Sequence, residues 1–141
     1  MIILDTSGVL AAIDASQHHH RSAAAALRAA QPPRLLSPFV LAELDYLLAT
    51  RVGTVAELAF LDEVGRGVYQ LAPFGEEDVA RAAIVIKKYA DLELGLADAS
   101  LVVLAERHAV VEILTLDERH FRAVRRGDAR PFLLLPLDET G

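Results

Sequence analysis

The chain has no cysteine and no tryptophan, and only two of its 14 basic residues are lysines. Without cysteine it can form neither disulfides nor thiolate metal sites, and a cysteine nucleophile is excluded. Its apolar runs are a handful of residues long, far below the roughly 18 that a membrane-spanning helix requires. We therefore expect no membrane segment and, because cysteine-free chains fit a reducing compartment, a cytoplasmic location.

The composition predicts a globular protein. Of the 141 residues, 53% are hydrophobic and 24% are charged, which is too apolar for a disordered chain. Because a domain has roughly 100–200 residues, we expect a single domain over residues 1–141. The formal net charge of -6 argues against a protein that coats nucleic acid through bulk electrostatics, so any contact with phosphate must be local.

Short apolar runs alternate with helix-like segments along the chain. The run over residues 1–4 is typical of a strand covered on both faces, and the β-branched stretch 110–115 predicts another strand. Ser37 and Pro38 provide an N-cap and a proline at the first helical position, and Thr54 is expected to cap the next helix. The other predicted elements are helices over 9–13, 22–30, 76–89 and 97–108 and strands over 35–36, 68–71 and 132–135. This order predicts a three-layer α/β fold with a mostly parallel central sheet flanked by helices.

Four acidic residues from separate segments are predicted to face one site. Asp5 directly follows the first strand, and Asp117 follows the strand over 110–115 by one residue. Because the carboxyl ends of parallel strands meet at one edge of a sheet, both should project there. Glu43 falls on an apolar stripe of the helix after Pro38, and Asp98 lies in a first helical turn with apolar neighbours three and four residues on.

Each acid also has an ordinary structural explanation. Asp5 can end a strand, Asp98 can complement a helix dipole, Asp117 can form a turn, and Glu43 can pair with Arg51. Together, however, the four carboxylates would repel one another unless a divalent cation neutralised them. An all-oxygen set favours Mg²⁺ or Mn²⁺ over Zn²⁺, and this arrangement is typical of phosphodiester hydrolysis.

The motifs around these acids resemble the PIN-domain signature of VapC toxins. They are Asp5-Thr6-Ser7 after the first strand, Ser37-Pro38 followed by Ala42-Glu43-Leu44, Leu96-Ala97-Asp98-Ala99, and the stretch TLDERHF over residues 115–121. The resemblance covers essentially the whole chain and implies a Mg²⁺-dependent endoribonuclease, the toxin of a type II toxin–antitoxin system. It implies that Asp5, Glu43, Asp98 and Asp117 are the catalytic acids, that the protein is a homodimer, and that a VapB antitoxin inhibits it.

For the mechanism, we expect Asp5 and Asp98 to hold one or two Mg²⁺ ions, with Glu43 and Asp117 as further direct or water-mediated ligands. The metal would lower the pKa of a bound water and stabilise the charge that develops on phosphate. Nearby hydroxyl groups are candidates either for hydrogen bonds to these ligands or for capping and turn roles: Thr6, Ser7 and Thr115.

Three basic features leave alternatives open. The run His18-His19-His20 is interpreted as a solvated polar segment rather than as a metal site. His120 lies three residues after Asp117, within helical reach of it, and hydrogen bonding or packing is its expected role. The five arginines between residues 119 and 130 either guide RNA phosphates toward the acids or form an exposed surface segment.

Two other classes of function are weighed against the nuclease. A receiver-like signalling domain also gathers acids and Mg²⁺ at strand ends, but it requires a lysine late in the chain, and no lysine follows Tyr89. A PIN-like module that binds RNA or protein without cutting would not need all four acids. The sequence therefore favours the nuclease.

Overall fold

The centre of the computed structural model, which describes residues 1–138, is a five-stranded parallel sheet. Its strands are β1 (Ile2–Leu4), β2 (Arg34–Leu36), β3 (Gln70–Leu71), β4 (Glu112–Thr115) and β5 (Leu133–Pro136). The order across the sheet is β3-β2-β1-β4-β5, and every neighbouring pair is parallel. The predicted α/β sheet is confirmed, while the last three residues of the predicted domain over 1–141 lie outside the described residues.

Helices connect and flank these strands. They are α1 (Thr6–Ile13), α2 (His20–Ala29), α3 (Pro38–Leu47), α4 (Thr54–Gly65), α5 (Glu76–Lys88), α6 (Leu96–His108) and α7 (Glu118–Phe121), with a π-helical turn (Leu48–Val52) after α3 and a 3-10 turn (Ala90–Leu92) before α6. Within residues 1–138, no helix combines the length and the apolar character that a membrane crossing demands.

Both faces of the sheet are covered. The three side chains of β1 have no exposed surface, although successive side chains of a strand point to opposite faces. Helix α6 packs on β1, while α1 and α2 pack on β4 and β5. The parallel sheet is therefore a buried middle layer, as the continuous apolar run over residues 1–4 predicted.

The predicted helix starts differ in how well they agree with the structure. Ser37 accepts a hydrogen bond from the backbone N–H of Phe39 at 3.2 Å, and Pro38 is the first helical residue, as expected. The predicted cap at Thr54 is wrong, because Gly53 precedes the helix and Thr54 is already inside it. Gly53 has φ of +136°, a conformation that glycine adopts readily, so the chain turns one residue earlier than expected.

Helix α1 lies very close to strand β4. A Cβ atom added to Gly8 would lie 2.4 Å from the carbonyl oxygen of Leu114, and the backbone N–H of Asp5 donates to that same oxygen at 3.0 Å. The absence of a side chain at Gly8 thus allows the start of α1 to lie beside the carboxyl end of β4. This contact fixes where Asp5 lies relative to Asp117.

Candidate active site

A pocket of about 350 Å³ contains all four of the predicted acids in its lining. Asp5 enters it from the end of β1 and Asp117 from the end of β4, while Glu43 comes from α3 and Asp98 from the first turn of α6. The ends of two parallel strands and two helices thus bring together carboxylates that are far apart in the sequence. Their catalytic and metal-binding roles remain predictions.

Asp5 is the most buried of the four acids and is held by two hydroxyl groups. Only 5% of its surface is exposed, and both Ser7 and Thr115 donate hydrogen bonds to its Oδ2 atom, at 2.8 and 2.6 Å. Burial raises the pKa of Asp5 above its usual value, and the two hydroxyl donors only partly oppose that shift. The buried Thr115 also accepts a hydrogen bond from the backbone N–H of Asp117 at 2.9 Å, so one hydroxyl orients two of the acids.

Replacing Thr115 with valine tests this support. We expect Thr115→Val to lower the free energy of unfolding by roughly 1–3 kcal/mol, because it removes a buried donor to a carboxylate and leaves the N–H of Asp117 without its acceptor. Urea unfolding monitored by circular dichroism measures the change. The matched control is Thr50→Val, which removes an exposed hydroxyl that donates to the Tyr46 carbonyl. Equal losses in the two variants would contradict the proposed role of Thr115.

Asp98 and Asp117 meet at the imidazole ring of His120. The Nδ1 atom of His120 lies 2.9 Å from Asp117 Oδ2 and 3.1 Å from Asp98 Oδ2. Burial, reinforced by the negative charge of Asp5, raises the pKa of Asp98 to about 6, although His120 acts in the opposite direction. Among the residues described, Asp98, Asp117 and His120 each provide one donor atom, and these three atoms lie within 4.8 Å of one another. This group could hold a metal ion, and it does not include Asp5.

His120 therefore takes a larger part in the site than the sequence indicated. Its Nε2 atom does form the expected kind of hydrogen bond, donating to the Leu92 carbonyl at 2.9 Å. Its contact with Asp117 follows from the three-residue spacing noted above, since Asp117 caps α7 by accepting from the backbone N–H of His120 at 3.0 Å. The contact with Asp98 depends on how α6 and α7 pack, and no local pattern predicts it.

Glu43 differs from the inward-facing acid that its apolar stripe predicted. It is exposed at the pocket mouth, because the stripe is itself partly exposed, with Tyr46 67% exposed. Thr6 lies 3.4 Å away and donates to its Oε2 atom. Desolvation in the pocket and the charge of Asp5 raise the pKa of Glu43. Arg51 lines the same pocket but is not among the groups that shift the pKa of Glu43.

The basic features flagged in the sequence are largely engaged within the chain. Arg122 pairs with two carboxylates, Arg125 donates to backbone carbonyls at the end of α7, and Arg126 donates to the Pro131 carbonyl. The Nδ1 atom of His20 lies 2.8 Å from a backbone carbonyl of α1. These contacts favour the structural interpretation of both segments, and an RNA contact by the arginines stays a prediction.

Comparison with known proteins places this geometry in a family. The model of the PIN domain matches residues 2–127. The chain is 44% identical over 135 residues to Ribonuclease VapC26 of Mycobacterium tuberculosis, a match that covers 96% of this chain and all of that protein.

Solved structures show the same fold. VapC20 of Mycobacterium tuberculosis, described as a sarcin-ricin loop cleaving toxin, superposes with a TM-score of 0.77 at 21% identity, over 83% of this chain and 90% of that one. A toxin–antitoxin complex from Klebsiella pneumoniae gives 0.68 at 18% identity over 88% and 92% of the two chains. FitAcB from Neisseria gonorrhoeae gives 0.66 at 22% identity over 94% and 97%. With its family model, its curated relative and its fold in agreement, the chain belongs to the PIN domain family.

Proposed function

We propose that this chain is a metal-dependent endoribonuclease and the toxin of a type II toxin–antitoxin pair, with residues 1–141 as one catalytic domain. The observation that carries the proposal is the convergence of Asp5, Glu43, Asp98 and Asp117 in one pocket. RNA as the substrate class is supported by the 44% identical relative, which is named as a ribonuclease, and by the description of VapC20 as a toxin that cleaves the sarcin-ricin loop.

The residues of the pocket fit a divalent cation. Burial, and to a smaller extent the charges of neighbouring acids, raises the pKa values of Asp5, Glu43 and Asp98, so a bound cation would stabilise their ionised forms. Their oxygen donors suit Mg²⁺, with Mn²⁺ as a substitute. We propose Asp5 and Asp98 as metal ligands and Glu43 and Asp117 as direct or water-mediated ones. When bound, the ion supplies a water of lowered pKa and stabilises charge on the phosphate.

The chain itself contributes the orientation of these groups. Hydrogen bonds from Ser7 and Thr115 orient the carboxylate of Asp5. The backbone N–H of His120, at the start of α7, donates to the carboxylate of Asp117 and orients it. Glu43 is the acid open to solvent, and its raised pKa brings it closer to the range in which a carboxylate accepts a proton effectively. We therefore assign to Glu43 the orientation of the attacking water.

Cleavage of total cellular RNA by the purified chain, with new ends mapped by sequencing, tests the proposal. We expect cleavage to stop in EDTA and to return with Mg²⁺ or Mn²⁺, because the carboxylates alone cannot stabilise the anionic transition state. Glu43→Gln should cleave far more slowly than its matched control, Glu77→Gln, which alters an exposed acid of α5 outside the pocket.

Two outcomes would contradict the proposal. One is full cleavage in EDTA after metal loss has been verified by elemental analysis. The other is a folded, metal-binding chain that cleaves no RNA, which would favour the PIN-like module that binds without cutting.

The partners belong to the same proposal. A VapB-type antitoxin is supported by the likeness in fold to a chain of a toxin–antitoxin complex. The sequence resemblance supports a homodimer, and the absence of cysteine supports a cytoplasmic location. A short antitoxin reading frame directly upstream of the gene would support the pairing. Co-expression of the two products followed by light scattering would then give the stoichiometry of the complex.

A further inference from the structure

We infer that Asp98, Asp117 and His120 form a mixed nitrogen and oxygen site for a divalent transition ion such as Mn²⁺, with Nδ1 of His120 as a direct ligand. The inference rests on the proposed function, because both require a divalent ion at the same acidic pocket. It adds to that function a nitrogen ligand and a preference among metals.

The orientation of the His120 ring directs a lone pair at the acids. A carbonyl oxygen can only accept a hydrogen bond, so the 2.9 Å contact between Nε2 and the Leu92 carbonyl places the ring hydrogen on Nε2. In the neutral ring, Nδ1 then carries a lone pair, and it lies 2.9 and 3.1 Å from carboxylate oxygens of Asp117 and Asp98. Three electron-rich atoms converge, and a cation between them would relieve their repulsion.

The geometry of the contacts between His120 Nδ1 and the two carboxylate oxygens suits a shared metal ion better than a hydrogen bond. The Nδ1 atom is shielded from solvent and, among the residues described, has no partner with hydrogen-bond geometry, even though both oxygens are near. Two adjacent ligand atoms that are each about 2.1 Å from one ion lie about 3 Å from each other. Their lone pairs point at the ion and not at each other. The observed separations of 2.9 and 3.1 Å match that arrangement.

The side chains of His120 in α7 and of its N-cap, Asp117, are also oriented as metal ligands usually are. A metal-bound histidine almost always donates its other ring N–H to a carbonyl or a carboxylate, and Leu92 provides that carbonyl. Asp117 uses Oδ1 to cap α7, while its Oδ2 atom faces His120. Because imidazole is a borderline ligand that Mg²⁺ rarely takes, the trio should favour Mn²⁺ over Mg²⁺.

Pulsed electron paramagnetic resonance of Mn²⁺ added to the metal-stripped full chain tests the inference. We expect electron spin-echo modulation from a directly bound ¹⁴N nucleus in the wild type, and its replacement by ¹⁵N modulation when the protein is labelled with ¹⁵N-histidine. Since the labelled wild type carries this result, it does not depend on whether a variant folds.

Two variants then identify the nitrogen. His120→Gln keeps an N–H group for the Leu92 carbonyl and lacks Nδ1, so it should lose the modulation and bind Mn²⁺ on the order of ten-fold more weakly, with a smaller change for Mg²⁺. The control, His18→Gln with His19→Gln, alters exposed histidines and should keep the modulation.

The inference fails if wild-type Mn²⁺ shows only oxygen ligands, or if His120→Gln retains the nitrogen signal. The RNA cleavage assay on the same samples separates the two proposals. Oxygen-only binding with intact cleavage overturns the His120 ligand and leaves the nuclease in place. Nitrogen binding without cleavage supports the ligand and overturns the nuclease.

Discussion

Asp98→Asn is expected to abolish most RNA cleavage while making the metal-free chain more stable at neutral pH. Loss of groups that merely support a metal ligand lowers activity 10–100-fold, so loss of a ligand should lower the cleavage rate at least about 100-fold. The opposite effect on stability arises because burial and the charge of Asp5 raise the pKa of Asp98 to about 6. At neutral pH the ionised carboxylate is therefore a net burden on the fold, which asparagine removes.

The pH dependence of this effect has a definite sign. The pKa of Asp98 is about 6 in the folded chain and 3.8 without its surroundings, so the folded state binds the proton more tightly. The raised pKa of Asp98 favours folding fully below about pH 4, and this contribution is lost as the pH rises through about 6. The change is at most about 3 kcal/mol, and solvent screening of the partly exposed carboxylate reduces it. Urea unfolding in EDTA at about pH 4.5 and pH 7 should show the stability difference between variant and wild type growing with pH.

The control for this substitution is Asp62→Asn, which alters an exposed acid paired with Arg66 on the surface of α4. We expect it to change the free energy of unfolding by less than about 1 kcal/mol at either pH and to leave cleavage intact. An Asp98→Asn chain that is less stable than wild type at neutral pH in EDTA would contradict the claim that the ionised Asp98 carboxylate destabilises the fold. Cleavage at the wild-type rate would contradict its catalytic role.

Gly8→Ala is expected to lower both stability and activity through a single methyl group. The added carbon would lie 2.4 Å from the Leu114 carbonyl oxygen, a backbone atom of the buried strand β4, so α1 must move away from the sheet. Overpacking of this kind lowers stability by roughly 1–3 kcal/mol. The movement also separates Ser7 from Thr115, whose hydroxyl oxygens lie 3.2 Å apart, and it should reduce cleavage along with stability.

The chain contains a matched control for this variant. Gly65 lies in α4, and a Cβ atom added there would meet no atom within 4 Å. Since alanine is the better helix former, Gly65→Ala should leave stability unchanged or raise it by up to about 1 kcal/mol. Thermal and urea unfolding of the two variants measure the difference. A Gly8→Ala chain as stable and active as Gly65→Ala would show that α1 and β4 can separate freely.

Features that depend on neighbouring residues could be predicted from the sequence, whereas features that depend on packing could not. Asp5 follows an apolar run directly, and Ser37-Pro38 is a local helix start, so both were placed correctly. The exposure of Glu43 depends instead on how α3 sits against α1 and α6, and its apolar neighbours gave the wrong expectation. The contact between His120 and Asp98 joins two helices and leaves no trace in the spacing of residues.

The central position of β1 also governs when the pocket can exist during synthesis. The ribosome makes β1 first, yet one edge of that strand receives its partner only when β4 has left the exit tunnel. Until then Asp5 has no Thr115 beside it and the pocket has no Asp117. A nascent chain that stalls before β4 has an unpaired apolar strand edge, so it is prone to aggregation and is a target for chaperones. If Asp117 has its proposed role, such a chain should not cleave RNA in the cell that is making it.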